Sequence, residues 1–220
     1  MAANHKNTGC SWSGGKDSCF ALMQAMNEGY VPRVLLNVLN ESGMISRSHG
    51  IPAGILKAQA AAANIPIHFI TSNWTDYESG FTAALISLKK IHSIEQVVFG
   101  DIDLQPHRDW EEKVCGNAGL EALLPLWKMD RKELVAMMIG AGINAMIVSC
   151  NESLGPEFLG RMINAQCISD LEHAGVDVCG ENGEFHTMVL DCPLFSNPLQ
   201  VKVQDRVKHE QYWFTKLLLQ

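Results

Sequence analysis

The chain has no run of about 18 apolar residues, so no part of it is expected to span a membrane. Its first residues, Met1 to Asn7, are polar and hold no apolar secretory core. None of its seven cysteines (Cys10, Cys19, Cys115, Cys150, Cys167, Cys179 and Cys192) is spaced as Cys-x-x-Cys, which argues against a zinc ribbon. An odd number of cysteines without that spacing points to buried, reduced thiols in a cytoplasmic protein. Basic residues are the minority: 17 Lys and Arg stand against 24 Asp and Glu, a net charge of −7. That balance disfavours a large nucleic-acid footprint. The chain has no internal repeat, no flexible linker and no disordered acidic tail. What remains is an ordinary globular composition, 47% hydrophobic and 19% charged over 220 residues. A chain of that length buries enough surface to need neither disulfide nor structural metal.

Apolar runs alternate with helical patterns, which is how a series of βαβ units reads. Strands are predicted near Thr8 to Trp12, Arg33 to Leu39, Ile65 to Thr71 and Gln96 to Gly100. Helices are predicted over Lys16 to Asn27, Pro52 to Ala63, Tyr77 to Ile91 and His107 to Asn117. In the second half, Asp130 to Gly140 is a helix with Asp130 as N-cap. Ala145 to Cys150 is a strand and Arg161 to Ala174 a helix. Strand patterns recur at Met188 to Leu190 and at Leu199, Val201 and Val203. The tail to Gln220 fits no single pattern. The fold class is therefore α/β: a Rossmann-like domain with a parallel sheet over residues 1–127, and a smaller α/β domain over residues 128–220. Trp12, Leu39, Thr71 and Gly100 close the first four strands, so the residues after them should line one cleft.

The most specific stretch is Ser13-Gly14-Gly15-Lys16-Asp17-Ser18, between the first strand and the first helix. Adjacent glycines let the backbone approach a ligand closely, because no Cβ stands in the way. The first N–H groups of the helix have no partner within it and carry roughly half a positive charge. Those amides, the Ser13 and Ser18 hydroxyls and the Lys16 ammonium converge on one spot suited to a phosphate. The stretch is not a Walker A loop, since Asp17 separates Lys16 from Ser18. It resembles the PP-loop of the ATP pyrophosphatases, which cut ATP between the α- and β-phosphates. The resemblance implies that Ser13 to Ser18 hold the pyrophosphate leaving group, that Asp17 lies near its Mg²⁺ as metal ligand, and that Lys16 and Asp17 are catalytic.

Three further motifs extend the likeness. They are Gly119-Leu120 followed by Pro125-Leu126-Trp127; Leu159-Gly160-Arg161; and Gly180-Glu181-Asn182-Gly183-Glu184-Phe185-His186-Thr187 followed by Asp191-Cys192-Pro193-Leu194-Phe195. With these, the chain resembles the diphthine–ammonia ligase family from about Gly9 to Phe195. The resemblance implies an adenine-nucleotide α-hydrolase-like sheet with a family-specific second half. It also implies a reaction. A substrate carboxylate, in the family that of diphthine (a modified histidine on translation elongation factor 2), attacks the α-phosphorus of ATP, and ammonia then displaces AMP. Adenylation is needed because a carboxylate oxygen is a poor leaving group. The family usually reads Glu-Gly-Gly-Glu-Phe-Glu-Thr where this chain has Asn182 for a glycine and His186 for a glutamate. It usually has Gly-Ala and Tyr-Gln where this chain has Gly100-Asp101 and Pro106-His107. The alternatives are a paralogue acting on another carboxylate, a PP-loop tRNA-modifying enzyme, and a non-catalytic nucleotide sensor. An N-terminal-nucleophile glutaminase is not expected, because position 2 is Ala2, so ammonia is expected free or from another protein. Whether copies of the chain form a homo-oligomer stays open.

The resemblance assigns the remaining candidates. Glu181 and Glu184 flank Asn182-Gly183, a dipeptide that favours a tight turn. Together they are catalytic candidates that bind a cationic group or ammonium and take its proton; the plain alternative is two solvated glutamates. His49 and the end of the second strand at Leu39 are expected beside the nucleotide, as is Gly100. Asp101, His107, Arg161, Asn182, Gly183 and His186 are expected at the substrate. Asp101, Asp103 and His107 have metal-ligating chemistry, with an aspartate capping the next helix as the duller reading. Arg161 opens its helix and either forks onto a carboxylate or phosphate or pairs with Glu157.

Overall fold

The amino half pairs its apolar runs into a five-stranded, wholly parallel sheet of order β3-β2-β1-β4-β5. The computed structural model describes residues 6–220; Ala2, on which the glutaminase expectation rests, lies outside them. The strands are β1 (Asn7–Ser11), β2 (Val31–Leu39), β3 (Ile67–Thr71), β4 (Gln96–Val98) and β5 (Glu121–Leu123). Their crossovers are α1 (Lys16–Asn27), α2 (Ala53–Ala62), α3 (Tyr77–His92) and α4 (Gln105–Asn117). β2 is buried continuously from Val34 to Leu39, as a parallel strand covered on both faces must be. Its side chains alternate between two cores. Leu35 and Leu39 pack with Leu22 of α1 and Leu56 of α2, whereas Val34, Leu36 and Val38 pack with Phe81 and Leu85 of α3 and Val114 of α4. The chain steps from β1 outward in both directions, so a crevice opens past the carboxyl ends of β1 and β4.

The second half contains α5 (Arg131–Gly140), β6 (Asn144–Asn151), α6 (Ala165–His173), β7 (Phe185–Asp191), β8 (Val201–His209) and β9 (Tyr212–Leu219). Its four strands are antiparallel in the order β7-β6-β9-β8. Ile147, Met188 and Val189 from this sheet join the α1–α2 core, so one hydrophobic core runs through both halves. All seven cysteines are free and buried. Among the described residues no helix is long and apolar enough to cross a membrane.

Asp130 caps α5, its carboxylate accepting from the amides of Lys132 and Glu133 at 3.0 Å. Three expectations need correction. The helix read from Arg161 starts at Ala165. Asn164 caps it through Cys167 N at 2.9 Å, and the residues before it are extended, with Met162 bridging Met146. β5, not expected, is an edge strand with none of its three residues buried, so it leaves no apolar run of the kind β4 does. The tail is a full strand, β9, whose exposed half masks its alternation. The aspartates near α4 do not cap it either; Leu104 holds the N-cap with no side-chain bond.

Gly100, just past β4, is where the sheet and α1 come closest. A Cβ there would lie 2.7 Å from Ser18 N and 2.8 Å from the Asp17 carbonyl carbon, both of them backbone. Gly100→Ala should therefore push the first turn of α1 off the sheet and destabilise the fold by about 1–3 kcal/mol. Urea unfolding measures this; an unchanged midpoint would mean that the close approach is not a constraint.

Candidate active site

A cleft of about 900 Å³ lies over the carboxyl ends of β1 and β4, roofed by the segment from Cys179 to Thr187. The glycine loop forms its floor. Gly14 takes φ +84°, and a Cβ there would meet Leu56 at 2.7 Å, so only glycine fits. The loop is held from the second half of the chain. The Gly14 carbonyl accepts from Val189 N at 2.9 Å and from Gln59 Nε2 at 3.0 Å. Gln59, fully buried, also donates to the Val189 carbonyl at 2.7 Å and accepts from Trp12 Nε1 at 3.0 Å. At the helix start, Lys16 N donates to Thr187 Oγ1 at 3.1 Å. The Ser13 and Ser18 hydroxyls sit 3.0 Å apart.

Lys16 is 2% exposed. Its ammonium donates to both Asp17 oxygens at 3.0 and 2.9 Å and to the Cys179 carbonyl at 2.6 Å. Burial works against this charge, but Asp17 outweighs it and holds Lys16 above the ordinary lysine value. For Asp17, burial outweighs the help of Lys16, so it ionises less readily than a surface aspartate.

The roof is built by Arg131. Its guanidinium forks onto Asp103 at 2.9 and 2.6 Å and reaches Asp177 at 2.7 Å. Asp177 then accepts from the amides of Cys179 at 3.1 Å and Glu181 at 2.9 Å. Gly180 and Gly183 take positive φ, and Gly183 N closes the turn on the Gly180 carbonyl at 3.1 Å. Glu181, Asn182 and Gly183 line the cleft. Glu184 does not line it: its carboxylate accepts from Asn182 N at 3.0 Å and Asn182 Nδ2 at 3.1 Å. The two glutamates are thus divided, Glu181 facing the cleft and Glu184 bracing the turn. Burial, then Asp17, raises Glu181 to about 8.

His186 and His49 bring their rings to 4.4 Å between centroids on the cleft wall. Burial is the main cause keeping both neutral; it lowers His186 to about 4, with Lys16 adding to the effect, and His49 falls well below its usual value. Asp101 Oδ1 lies 2.6 Å from His107 Nδ1, and both line the cleft with Gly100. Asp103 turns instead to Arg131, and among the described residues no three His, Cys, Asp or Glu side chains gather as a metal cage.

Arg161 and Leu39, like Glu184 and Asp103, fall outside the cleft. Arg161 pairs with Asp170, not Glu157, and lies over the Phe158 ring at 4.8 Å. Leu39 is buried, its carbonyl accepting from Ser72 N at 3.3 Å. Its neighbours Asn37 and Val38 line a small recess of about 80 Å³ beside Ser11 and Ser13. There Asn37 Oδ1 and Arg47 Nε are buried without partners among the described residues, which suits a ligand with hydrogen-bonding edges such as a nucleobase. Residues that the sequence placed in no site include Gln59, Arg47, Arg131 with Asp177, and Glu111. Only Glu111 left a local signal: it falls on the buried face of α4 with Val114 and Cys115.

A parallel sheet with a Gly-Gly-Lys-Asp-Ser loop at the split in strand order defines a nucleotide-binding α/β protein of the PP-loop class. Residues 6–122 match the diphthamide synthase N-terminal domain and residues 130–219 the diphthamide synthase C-terminal domain. The chain belongs to the diphthamide synthase family. It is 30% identical over 224 residues to the diphthine–ammonia ligase of Rattus norvegicus, covering 90% of this chain and 83% of that protein. The human diphthine–ammonia ligase is 29% identical over 222 residues, with the same coverage. Among solved structures, a predicted subunit of tRNA methyltransferase from Methanocaldococcus jannaschii is similar at 16% identity and a TM-score of 0.46, over 85% of this chain and 98% of that one.

The neutral histidines set a pH dependence. An unfolded histidine takes its proton near 6.5, whereas His186 takes it only near 4. Its contribution is present above pH 6.5 and is lost as pH falls toward 4, by a few kcal/mol at most. Glu181 acts in the opposite sense, its contribution being lost as pH rises from about 4.5 to about 8. His186→Gln should therefore reduce the acid-side loss, leaving the share due to His49, and leave the alkaline side unchanged. Guanidinium unfolding of both proteins between pH 4 and 7 tests it; parallel curves would place a charged, solvated imidazole at position 186.

Proposed function

We propose that this chain is an ATP-dependent ligase that adenylates a substrate carboxylate, releases pyrophosphate and amidates the acyl group with ammonia. The observation that carries this reading is the meeting, in one cleft, of Ser13, Lys16, Asp17 and Ser18 of the glycine loop with the family-specific turn bearing Glu181. The names of the relatives favour diphthine on translation elongation factor 2 as the acyl substrate, and that substrate would place the protein in the cytoplasm.

In this reading the loop amides, the Ser13 and Ser18 hydroxyls and Lys16 bind the β- and γ-phosphates. Lys16 exchanges the Cys179 carbonyl for phosphate oxygen as negative charge grows on the departing pyrophosphate. Such preorganised donors are worth about 10²–10³ in rate each. The recess at Asn37 and Arg47 takes the adenine. Asp17, beside the loop and next to Glu181, is the carboxylate that would hold Mg²⁺, which supplies charge neutralisation at the phosphates; one or two carboxylates with substrate oxygens suffice for that ion. The attacking carboxylate oxygen forms a P–O bond while the α–β P–O bond breaks. Glu181, with a pKa near neutrality, takes the proton from the incoming nitrogen in the second step. Asp101, His107, Asn182, Gly183 and His186 shape the acyl end. The packing of His186 against His49 at 4.4 Å favours one variant of this reading, the same nucleotide chemistry on a different carboxylate.

With ATP, Mg²⁺, ammonium and diphthine-bearing elongation factor, the chain should release AMP and pyrophosphate one to one. ADP and phosphate would identify another enzyme class. Asp17→Asn should cut turnover at least about 10²-fold and lower the unfolding temperature as well, since it leaves the buried Lys16 charge without its carboxylate; full activity would remove Asp17 from the mechanism. Glu181→Gln should lower amide formation by about 10²–10⁴ with far less effect on ATP affinity, and Glu184→Gln should do less. Equal losses in the two variants would contradict the division between them.

A further inference from the structure

Glu111 has no role in the steps above, yet it is a carboxyl on the wall of the cleft at 3% exposure. Among the described residues no group donates to its Oε2. Asp101 is its neighbour and is itself 2.6 Å from His107 Nδ1. Burial, then Asp101, pushes Glu111 to about 11, while hydrogen bonds from His107 and Glu111 hold Asp101 low in spite of its burial. At rest, then, one proton lies between two carboxyls. Trp110 and Tyr77 line the cleft beside them, their rings 5.5 Å apart, and aromatic faces attract small cations.

We propose that Asp101 and Glu111 form an ammonium subsite, which the nitrogen donor enters in exchange for the proton the two carboxyls share. This rests on the ligase reading for its purpose but not for its detection. Ammonium is charge-equivalent to that proton and donates four N–H bonds, enough to satisfy Glu111 Oε2 and Asp101 together. It is not a nucleophile until it loses a proton. One N–H bond breaks and the proton goes to the Glu111 carboxylate, which returns to its resting protonated state. The freed lone pair forms the C–N bond to the acyl carbon, and the C–O bond to AMP breaks with its electron pair. The proton that the nitrogen sheds on forming the amide goes to Glu181.

The test is a titration of the intact chain with ammonium chloride at constant ionic strength, with sodium chloride as control. Tryptophan fluorescence and proton release into weak buffer are the readouts. The wild type should show a saturable response to ammonium with about one proton released per ion bound. Glu111→Gln keeps a neutral donor to Asp101 and so keeps the fold; it should weaken the response at least tenfold and abolish the proton release. Asp101→Asn should do the same, and ATP should still bind Glu111→Gln as it binds wild type. The proposal is overturned if sodium acts like ammonium, if Glu111→Gln responds as wild type does, or if tetramethylammonium chloride binds more tightly than ammonium. Formation of AMP and pyrophosphate with an ammonium KM unchanged in Glu111→Gln would remove the subsite and leave the ligase. Loss of ammonium binding in Glu111→Gln, in a chain that never makes AMP, would do the reverse.

Discussion

One buried ammonium ties this site together. Lys16 leaves the glycine loop of the amino half, satisfies both oxygens of Asp17, and ends on the Cys179 carbonyl of the carboxyl half. A lysine this deep keeps its charge only if every donor finds an acceptor, and breaking such a pair costs about 3–5 kcal/mol. The loop, the first turn of α1 and the roof therefore stand or fall as a unit. Val189 and Thr187 reinforce the arrangement from β7, and Gln59 from α2. The second half of the chain is thus not merely appended to a nucleotide-binding sheet. It supplies the walls that hold the glycine loop in shape.

Around that ammonium the carboxyl groups are set to different protonation states by their surroundings. Asp101 is ionised because His107 and Glu111 hydrogen-bond to it despite its burial. Glu111, deeper, is neutral, and Glu181 lies between, near 8. Pushing similar groups apart in this way lets one site bind a cation, hold a proton and accept another at the same pH. The neutral pair His49 and His186 adds no positive charge to a wall that already carries Lys16. The cleft's electrostatics are decided by depth and contact, not by the chain's net charge.

Much of the fold could be read from pattern. α1 begins and ends where the spacing places it, at Lys16 and Asn27, and Asp130 caps α5. These are local properties, fixed by periodicity, glycine and capping chemistry. The shape of the glycine loop was legible for the same reason: its residues lie together within six positions. Long-range choices were not. Nothing near Arg161 says that Asp170 will claim it, and nothing near Glu184 says that its carboxylate will fold back onto Asn182. Leu39 was one register step from the recess that Asn37 and Val38 line. Arg131 and Asp177, which set the roof, are 46 residues apart and meet only because α5 packs beside the turn.

The direct measurement is a crystal structure of the chain with Mg²⁺ and a nucleotide whose α–β bridge cannot be cleaved. The account predicts the β- and γ-phosphates on the amides of Gly14 to Ser18, Lys16 Nζ moved from the Cys179 carbonyl onto phosphate oxygen, and the base in the recess at Asn37 and Arg47. A triphosphate bound elsewhere, with Lys16 still fastened to Asp17 and Cys179, would contradict it.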